Sequence, residues 1–294
     1  MSKNDNGIAQ ININWYPGHM AKTKKEISAN IANIDIVIEV IDSRIPLSSR
    51  IPDLGRITNN KRRIVVFNKY DLCDKDETNR WIDKVKKEGH IVVTTDSKNS
   101  NDYKKIINEV NNLMIDVNKK RASRGLLAKK AKCIVIGIPN VGKSTLINKL
   151  VGKNIVDVGN KPGVTKKLNT LRVSEYMDLV DTPGILWPKF EDQNLALNLA
   201  SMTAIKEEIV SSDMIAVHIL KMLDKYYKDM LLKNFGIEYY SDDEVVECFE
   251  KISKFKNVPI NGEVDYDRVS LIILNSIKQE KIKGITFDRL WFPF

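Results

Sequence analysis

A glycine-rich loop that carries a lysine and two hydroxyl groups is the stretch of this sequence with the clearest chemistry. Residues 137–145 read Gly-Ile-Pro-Asn-Val-Gly-Lys-Ser-Thr, after an apolar run and before helical spacing. Because Gly137 and Gly142 lack a Cβ atom, the backbone can curl until several N–H groups face one phosphate, and the helix start adds its positive dipole end. Lys143 can reach the β- and γ-phosphates. The expected phosphate contacts are Asn140, Val141, Gly142, Lys143, Ser144 and Thr145.

A magnesium ion would draw its ligands from this loop and from two later segments. In loops of this pattern the first hydroxyl, here that of Ser144, ligates Mg²⁺. Thr165 follows a Lys-Pro-Gly-Val segment and is the candidate for a second hydroxyl ligand, ordered by the γ-phosphate. Asp181 begins the sequence Asp-Thr-Pro-Gly after an apolar run. Its carboxylate would hold a water on the metal, and the N–H of Gly184 would sense the γ-phosphate.

A second motif predicts which base is bound. The residues Asn-Lys-Tyr-Asp at 68–71 follow an apolar run. Asp71 can accept hydrogen bonds from both N1–H and the N2 amino group of guanine, whereas adenine offers no such pair of donors. Asn68 would brace the loop and the base edge, and the stem of Lys69 would pack over the purine face. The motif therefore predicts specificity for GTP and GDP.

The elements that must position these motifs alternate between strands and helices. Apolar runs predict buried strands at 35–42, 63–67, 91–95 and 133–136, and a hairpin at 169–173 and 176–180. Helices are expected between them, including one that reaches residue 59 and one over 103–118. The fold class is therefore α/β, a mostly parallel sheet with helices on both faces. Each motif follows the carboxyl end of a strand, where such sheets bind ligands.

The order of the motifs along the chain is unusual. In most small GTPases the phosphate loop precedes the Asn-Lys-x-Asp motif, but here residues 68–71 precede residues 137–145. A parallel sheet tolerates such reordering when the original termini lie close together, because the spatial neighbours of each strand stay the same. The sequence therefore predicts a circular permutant. Its γ-phosphate-sensing segment lies immediately before the C-terminal region, to which nucleotide state can be transmitted.

The spacing of apolar residues is helical after residue 188. It recurs over 195–209, 214–226, 245–255 and 269–277, which predicts a helical bundle. We therefore expect a disordered lead at residues 1–12, a circularly permuted P-loop GTPase domain at 13–188 and an all-α domain at 189–294.

Composition excludes several classes of protein. The 294 residues are 43% apolar, which is enough to build the cores of two domains. No apolar run reaches the length of a bilayer span and the N-terminus has no secretory or transit pattern, so we expect a cytoplasmic protein without a membrane partner. The scattered cysteines Cys73, Cys133 and Cys248 support neither disulfides nor a zinc site. Burial is expected for the last two.

The net charge of +9 is unevenly distributed. Residues 1–189 hold 34 Lys and Arg against 20 Asp and Glu, whereas residues 190–294 hold 13 against 18. The basic part suggests a polyanionic partner. Its densest cluster contains no acidic residue and comprises Lys119, Lys120, Arg121, Arg124, Lys129, Lys130 and Lys132. Contact with RNA and a solvated linker explain this cluster equally well.

The motifs together resemble those of the circularly permuted GTPases, most closely the bacterial members that act in ribosome biogenesis. The resemblance covers most of the chain and rests on residues 15–22, 42–46, 68–71, 137–145, 162–166 and 181–188. It implies a cytoplasmic, ribosome-associated monomer that acts late in assembly of the large ribosomal subunit. Such a factor binds rRNA rather than DNA and hydrolyses GTP when docked. The turn at Asp96 and Ser97 would present a backbone N–H to guanine O6.

The resemblance also implies candidates for catalysis beside Lys143 and Thr165. Ras-type enzymes orient the attacking water with a glutamine at the position that Ile185 occupies here, and an aliphatic side chain cannot do this. Asn140 resembles the residue that helps related GTPases to hold K⁺ near the phosphates, where its charge offsets the charge of the transition state. His19 is the second candidate, as a water-orienting group. A helix-start residue or an RNA contact explains His19 equally well.

Two other classes of function are compatible with parts of the pattern. One is a nucleotide-gated binding module for another RNA or protein partner, in which hydrolysis is incidental. Stimulation of GTP turnover by large subunits, but not by tRNA or lipid, separates this alternative from an assembly factor. The other is an ATP-using kinase or ATPase, which Asp71 disfavours.

Overall fold

Six strands form one sheet in this computed structural model, which describes residues 25–96, 98–152, 169–182, 192–205, 209–258 and 264–290. The strands are β1 (Ile36–Asp42), β2 (Arg62–Asn68), β3 (Ile91–Thr95), β4 (Ala131–Ile136), β5 (Asn169–Arg172) and β6 (Met177–Asp181). Their order across the sheet is β3-β2-β1-β4-β6-β5. Neighbouring strands run parallel except β5, which pairs antiparallel with β6 as the predicted hairpin.

Residues 25–30 are helical, and nine further α-helices lie within the described residues. They are α1 (Leu54–Ile57), α2 (Lys75–Lys87), α3 (Ser100–Ala122), α4 (Lys143–Val151), α5 (Gln193–Ser201), α6 (Ser212–Tyr226), α7 (Lys228–Phe235), α8 (Val245–Phe255) and α9 (Tyr266–Lys278). Short 3₁₀ turns occur at Ile31–Asn33 and Asp242–Glu244. None of these helices combines the length and the apolar character that crossing a bilayer requires.

Helices cover both faces of the sheet, and the side chains of β2 show how. Val65 and Phe67 pack with Trp81 of α2 in one cluster of buried side chains. Ile64 and Val66, which alternate with them along the strand, belong to the larger core on the other face. That core includes apolar residues of α3 and α4. The predicted α/β class, with a mostly parallel sheet between two layers of helix, is confirmed.

Two of the predicted helices have different lengths in the structure. The helix expected to reach residue 59 is only the single turn α1, because Asp53 before it and Asn59 and Asn60 after it adopt left-handed backbone conformations. By contrast, α3 continues to Ala122 and takes in the first cations of the basic cluster. The three cysteines are buried and free, as expected for Cys133 and Cys248.

The strand order explains how a permuted chain can assemble one site. β4, which leads into the phosphate loop, lies between β1 and β6, and β1 lies between β4 and β2. The registers align Asp42 with Asn68 across β1 and β2, and Val135 with Asp181 across β4 and β6. The carboxyl ends of these four parallel strands therefore meet at one edge of the sheet.

The last described segment, residues 284–290, returns from the helical region to the sheet. We call it the returning segment. Hydrogen bonds anchor its backbone, among them Gly284 N to Leu72 O at 2.8 Å, Phe287 N to Arg44 O at 2.8 Å, and Leu290 N to Glu77 Oε1 at 2.7 Å. These acceptors lie after β1, after β2 and in α2. The segment therefore connects the helical region to α2 and to the loops that follow β1 and β2.

Candidate functional site

The phosphate loop is a tight turn between β4 and α4. Gly142 has φ +96° and is the residue before the first turn of α4, and Asn140 is also left-handed at φ 60°. A Cβ atom on Gly137 would lie 2.4 Å from the carbonyl oxygen of Val40, so only glycine allows β1 to approach this closely. Lys143 is buried, and its Nζ donates to the carbonyl oxygen of Ile138 at 2.7 Å. The loop thus holds a positive charge among the backbone N–H groups of a helix start.

Asn68 connects the base motif directly to the phosphate loop. Its Nδ2 donates to the carbonyl oxygen of Val141 at 2.7 Å, and its Oδ1 accepts from Thr95 Oγ1 at 2.9 Å. Its own carbonyl oxygen accepts from the N–H of Ser43 at 2.9 Å. One residue at the end of β2 therefore joins the ends of β1 and β3 to the phosphate loop.

Gly142→Ala should weaken the binding of GDP about tenfold, because the new methyl group would lie 2.3 Å from Asn68 Nδ2 and would displace that amide from Val141. Gly89→Ala is the matched control, since Gly89 has a similar φ of +85° and nothing within 4 Å of its Cβ position. Both variants should lose about 1 kcal/mol of stability to backbone strain. Titration of each with a fluorescent GDP analogue checks the prediction. Equal affinity in the two variants would contradict the role given to Asn68.

Asp71 offers a carboxylate suited to the donor edge of guanine. Its Oδ1 is shielded from solvent and has no hydrogen-bond partner among the described residues, while its Oδ2 lies 4.0 Å from Lys98 Nζ. Burial, and then the nearby charge of Asp96, raise the pKa of Asp71 above that of an ordinary aspartate. A shielded acceptor without a donor costs free energy, and guanine N1–H and its N2 amino group supply donors of the required kind. The residues present therefore fit a guanine base.

Lys69 lies between the base motif and the phosphate loop. Its backbone is left-handed at φ 57°, and its Nζ donates to Asn140 O at 2.8 Å and to Asp42 Oδ2 at 2.9 Å. Burial lowers the pKa of Lys69, and the negative charge of Asp42 opposes this effect. Asp42 belongs to the motif at 42–46, to which the sequence assigned no role in the site. The available signal was an acid at the carboxyl end of a strand, followed two positions later by Arg44.

Asn140 connects the phosphate loop to the helical region. Its Nδ2 donates to the carbonyl oxygen of Thr203 at 2.6 Å. Thr203 follows α5 and has a left-handed backbone at φ 64°, which ends that helix. The asparagine considered for K⁺ therefore also contacts the residue that follows α5.

The remaining predicted site residues divide into two groups. Ser144 and Thr145 lie in the first turn of α4, and Asp181 is the last residue of β6. A serine hydroxyl at this place is an oxygen donor of the kind that Mg²⁺ prefers. Four predicted residues, together with the Asp181 side chain, lie outside the described residues. These four are His19, Ser97, Thr165 and Gly184.

Comparison with known proteins adds sequence evidence to this geometry. The model of a family described as 50S ribosome-binding GTPase matches residues 132–251, which include the phosphate loop. Ribosome biogenesis GTPase A of Bacillus cereus is 39% identical, over 94% of this chain and 93% of the relative. The protein of the same name from Priestia megaterium is 38% identical, over 94% of this chain and 96% of the relative.

Solved structures share the fold. A GDP-bound structure of YlqF superposes with a TM-score of 0.63 at 24% identity, over 90% of this chain and 98% of that one. A GNP-bound YlqF from Thermotoga maritima gives the same TM-score at 23% identity, over 91% of this chain and 98% of that one. Because the agreement extends over nearly the whole length of both, it includes the helical region as well as the sheet.

Proposed function

Given that this chain belongs to the ribosome biogenesis GTPase A family and is a GTPase, we propose that it is an assembly factor of the large ribosomal subunit. In this proposal it binds rRNA, is activated by the subunit and is ribosome-associated in the cytoplasm. Membership of the family supports a role in ribosome biogenesis. That the partner is the large subunit and its rRNA is our proposal.

The observation that carries the proposal is the direct contact between the two reordered motifs. The hydrogen bond from Asn68 Nδ2 to Val141 O, at 2.7 Å, joins the base motif to the phosphate loop. We assign Asn68, Lys69, Asp71, Asp96 and Ser97 to the guanine side. The phosphates are assigned to the residues from Asn140 to Thr145.

Metal ions and catalytic groups complete the proposed site. Mg²⁺ would be held by Ser144, by Thr165 and, through water, by Asp181, and when bound it would offset charge on the phosphates. Asn140 would supply an oxygen to K⁺. His19 is the proposed group that orients the attacking water. Since Ile185 cannot do so, turnover of the free protein should be slow.

The basic cluster supports an RNA partner through three exposed cations at the end of α3 and just after it. Lys119, Lys120 and Arg124 are exposed, and within the described residues none of them pairs with an acid. By contrast, Lys129 pairs with Asp35, and Lys130 pairs with an acid of β6. Cations that are not paired with acids of the protein can bind the phosphates of RNA. We therefore propose that the surface at the end of α3 contacts rRNA, in addition to the helical region.

We propose that the chain functions in three parts. A lead at residues 1–12 precedes a circularly permuted GTPase domain at 13–188, and a helical RNA-binding domain follows at 189–294. The bond between Asn140 and Thr203 supports a route from nucleotide state to the helical domain, since it joins the phosphate loop to the residue that ends α5.

GTP turnover with and without purified large subunits tests the proposal. In K⁺ we expect the subunits to stimulate turnover by at least about tenfold, because the docked partner completes an active site that lacks a water-orienting glutamine. Stimulation should be smaller in Na⁺, which fits a K⁺ site poorly. The release of phosphate is the measurement.

Small subunits, tRNA and lipid vesicles serve as controls in the same assay. Equal turnover with and without large subunits would count against the proposed partner. Stimulation by tRNA or vesicles instead would favour a nucleotide-gated module for another partner.

A further inference from the structure

Asp42 occupies the place in the sheet that separates the base motif from the phosphate loop. It is the last residue of β1, which lies between β2 and β4, and it is fully buried. Residues 42–46 carry part of the family resemblance, but the guanine motif at 68–71 contains neither Asp42 nor its partner Arg44. Nothing in the chemistry of phosphates or guanine requires a buried carboxylate here, so its presence needs a separate explanation.

The carboxylate of Asp42 receives two cations. Its Oδ1 accepts from Arg44 Nε at 3.0 Å, and its Oδ2 accepts from Arg44 Nη2 at 2.8 Å and from Lys69 Nζ at 2.9 Å. Desolvation alone would raise the pKa of Asp42, but the charges of Arg44 and Lys69 outweigh it and hold the pKa well below the ordinary value. Asp42 is therefore a fixed negative charge.

Arg44 is the structural partner that keeps this carboxylate in place. Its guanidinium is buried, and its backbone carbonyl accepts from the N–H of Phe287 in the returning segment at 2.8 Å. The N–H of Asp42 donates to Ser49 Oγ at 3.0 Å. Because the backbone of Asp42 and both of its carboxylate oxygens are held by hydrogen bonds, the carboxylate has one orientation in which it binds the ammonium group of Lys69.

Lys69 is held from two sides as a result. Its Nζ bonds to the carbonyl oxygen of Asn140 in the phosphate loop and to Asp42. A lysine has four rotatable bonds, and a single neutral acceptor would leave several arrangements of the stem open. A second acceptor that carries a charge removes most of these arrangements, since charge-assisted hydrogen bonds are stronger than neutral ones.

We propose that Asp42 is a positioning residue for guanine binding, whose carboxylate holds the Lys69 ammonium so that the stem of this side chain is in place for the purine. The inference rests on the proposed assignment of the guanine side to Lys69 and Asp71. Asp42 lies outside the base motif and would affect the affinity for guanine nucleotides only by holding Lys69.

The test compares two isosteric substitutions of buried carboxylates on the same strand. Asp42→Asn should weaken the binding of GDP about tenfold, because an uncharged amide oxygen holds the ammonium more weakly than a carboxylate does. Glu39→Gln is the control: Glu39 is buried three residues earlier, pairs with Arg63 at 3.1 Å and does not contact Lys69. It should keep the affinity of the unmodified protein. Titration with a fluorescent GDP analogue measures both, and thermal melting verifies folding.

A double-mutant cycle with Lys69→Met distinguishes positioning from a general structural effect. Lys69→Met should weaken GDP binding, and Asp42→Asn in that background should weaken it no further. The inference is overturned if Asp42→Asn alone binds GDP normally or if the two losses add. If Asp42→Asn alone does not fold, the GDP affinities of the double variant and of Lys69→Met still show whether Asp42 acts through Lys69. Normal affinity of Lys69→Met would instead refute the assignment of the guanine site itself.

Discussion

Asparagine in place of Asp71 should weaken GDP binding about a thousandfold and should make xanthosine diphosphate the preferred ligand. The amide would present N–H groups toward guanine N1–H and its N2 amino group, so donors would face donors. Xanthine has a carbonyl oxygen at C2, which can accept from the amide. The effect should be large because Asp71 Oδ1 is shielded from water and has no other described partner.

Competition between GDP and xanthosine diphosphate for the labelled nucleotide measures this change. Asp76→Asn is a suitable control, since Asp76 is exposed in the first turn of α2, five residues after Asp71. It should retain the preference for GDP. If Asp71→Asn also retained it, the base contact assigned to this carboxylate would be wrong.

Removal of the Asp288 carboxylate should lower the free energy of unfolding by about 3 kcal/mol. Asp288 is buried in the returning segment. It accepts from the N–H of Ser48 at 2.7 Å, from Ser48 Oγ at 2.6 Å and from Asn198 Nδ2 at 2.9 Å. In Asp288→Ala these donors would stay buried without an acceptor. The loss should be larger than for a typical surface change because two parts of the fold meet at this residue.

Asp288 is one member of a longer chain of hydrogen bonds. Asn198 on α5 uses its Oδ1 to bind His218 Nε2 on α6 at 2.7 Å. Burial lowers the pKa of His218 to about 4, so the ring is neutral at pH 7 and Nε2 donates. Through Asp288, these helices are connected to Ser48 in the loop after β1. Loss of the carboxylate should therefore loosen the helical region from the sheet.

Urea unfolding at pH 7 measures this prediction. Asp83→Ala is the control, since Asp83 is exposed on α2, and its free energy of unfolding should lie within about 0.5 kcal/mol of that of the unmodified protein.

The stability effect of Asp288 should also depend on pH. Burial raises the pKa of Asp288 in the folded state above the ordinary value of 3.8. The folded state then binds more protons than the unfolded state as pH falls toward 3.8. The stability difference between the unmodified protein and Asp288→Ala should therefore widen in acid. A difference below 0.5 kcal/mol at pH 7 would contradict the role of this network.

The sequence alone determined the local elements and the family. Four strands and the hairpin could be predicted because apolar alternation and β-branched runs are local signals. The resemblance to circularly permuted GTPases of ribosome biogenesis is confirmed by 39% identity over 94% of the chain. The helix expected to reach residue 59 is only one turn long, because residues at both of its ends have left-handed backbone conformations. The spacing of apolar residues does not reveal such conformations. α7 was not predicted, because it follows α6 after a single residue and has only eight residues of its own.

The tertiary structure decided which distant residues meet. The motif residues Asn68 and Val141 were both visible in the sequence, but their hydrogen bond depends on the order β2-β1-β4 in the sheet. The motif at 42–46 was visible in the sequence, but a role for Asp42 depends on the hydrogen bond from Lys69 to its side chain. Asp288 and Ser48 are 240 positions apart, and no periodic pattern relates them. Apolar spacing records which face of an element is buried, whereas a buried polar contact depends on strand order, backbone direction and rotamer, which are set only when the whole chain is packed.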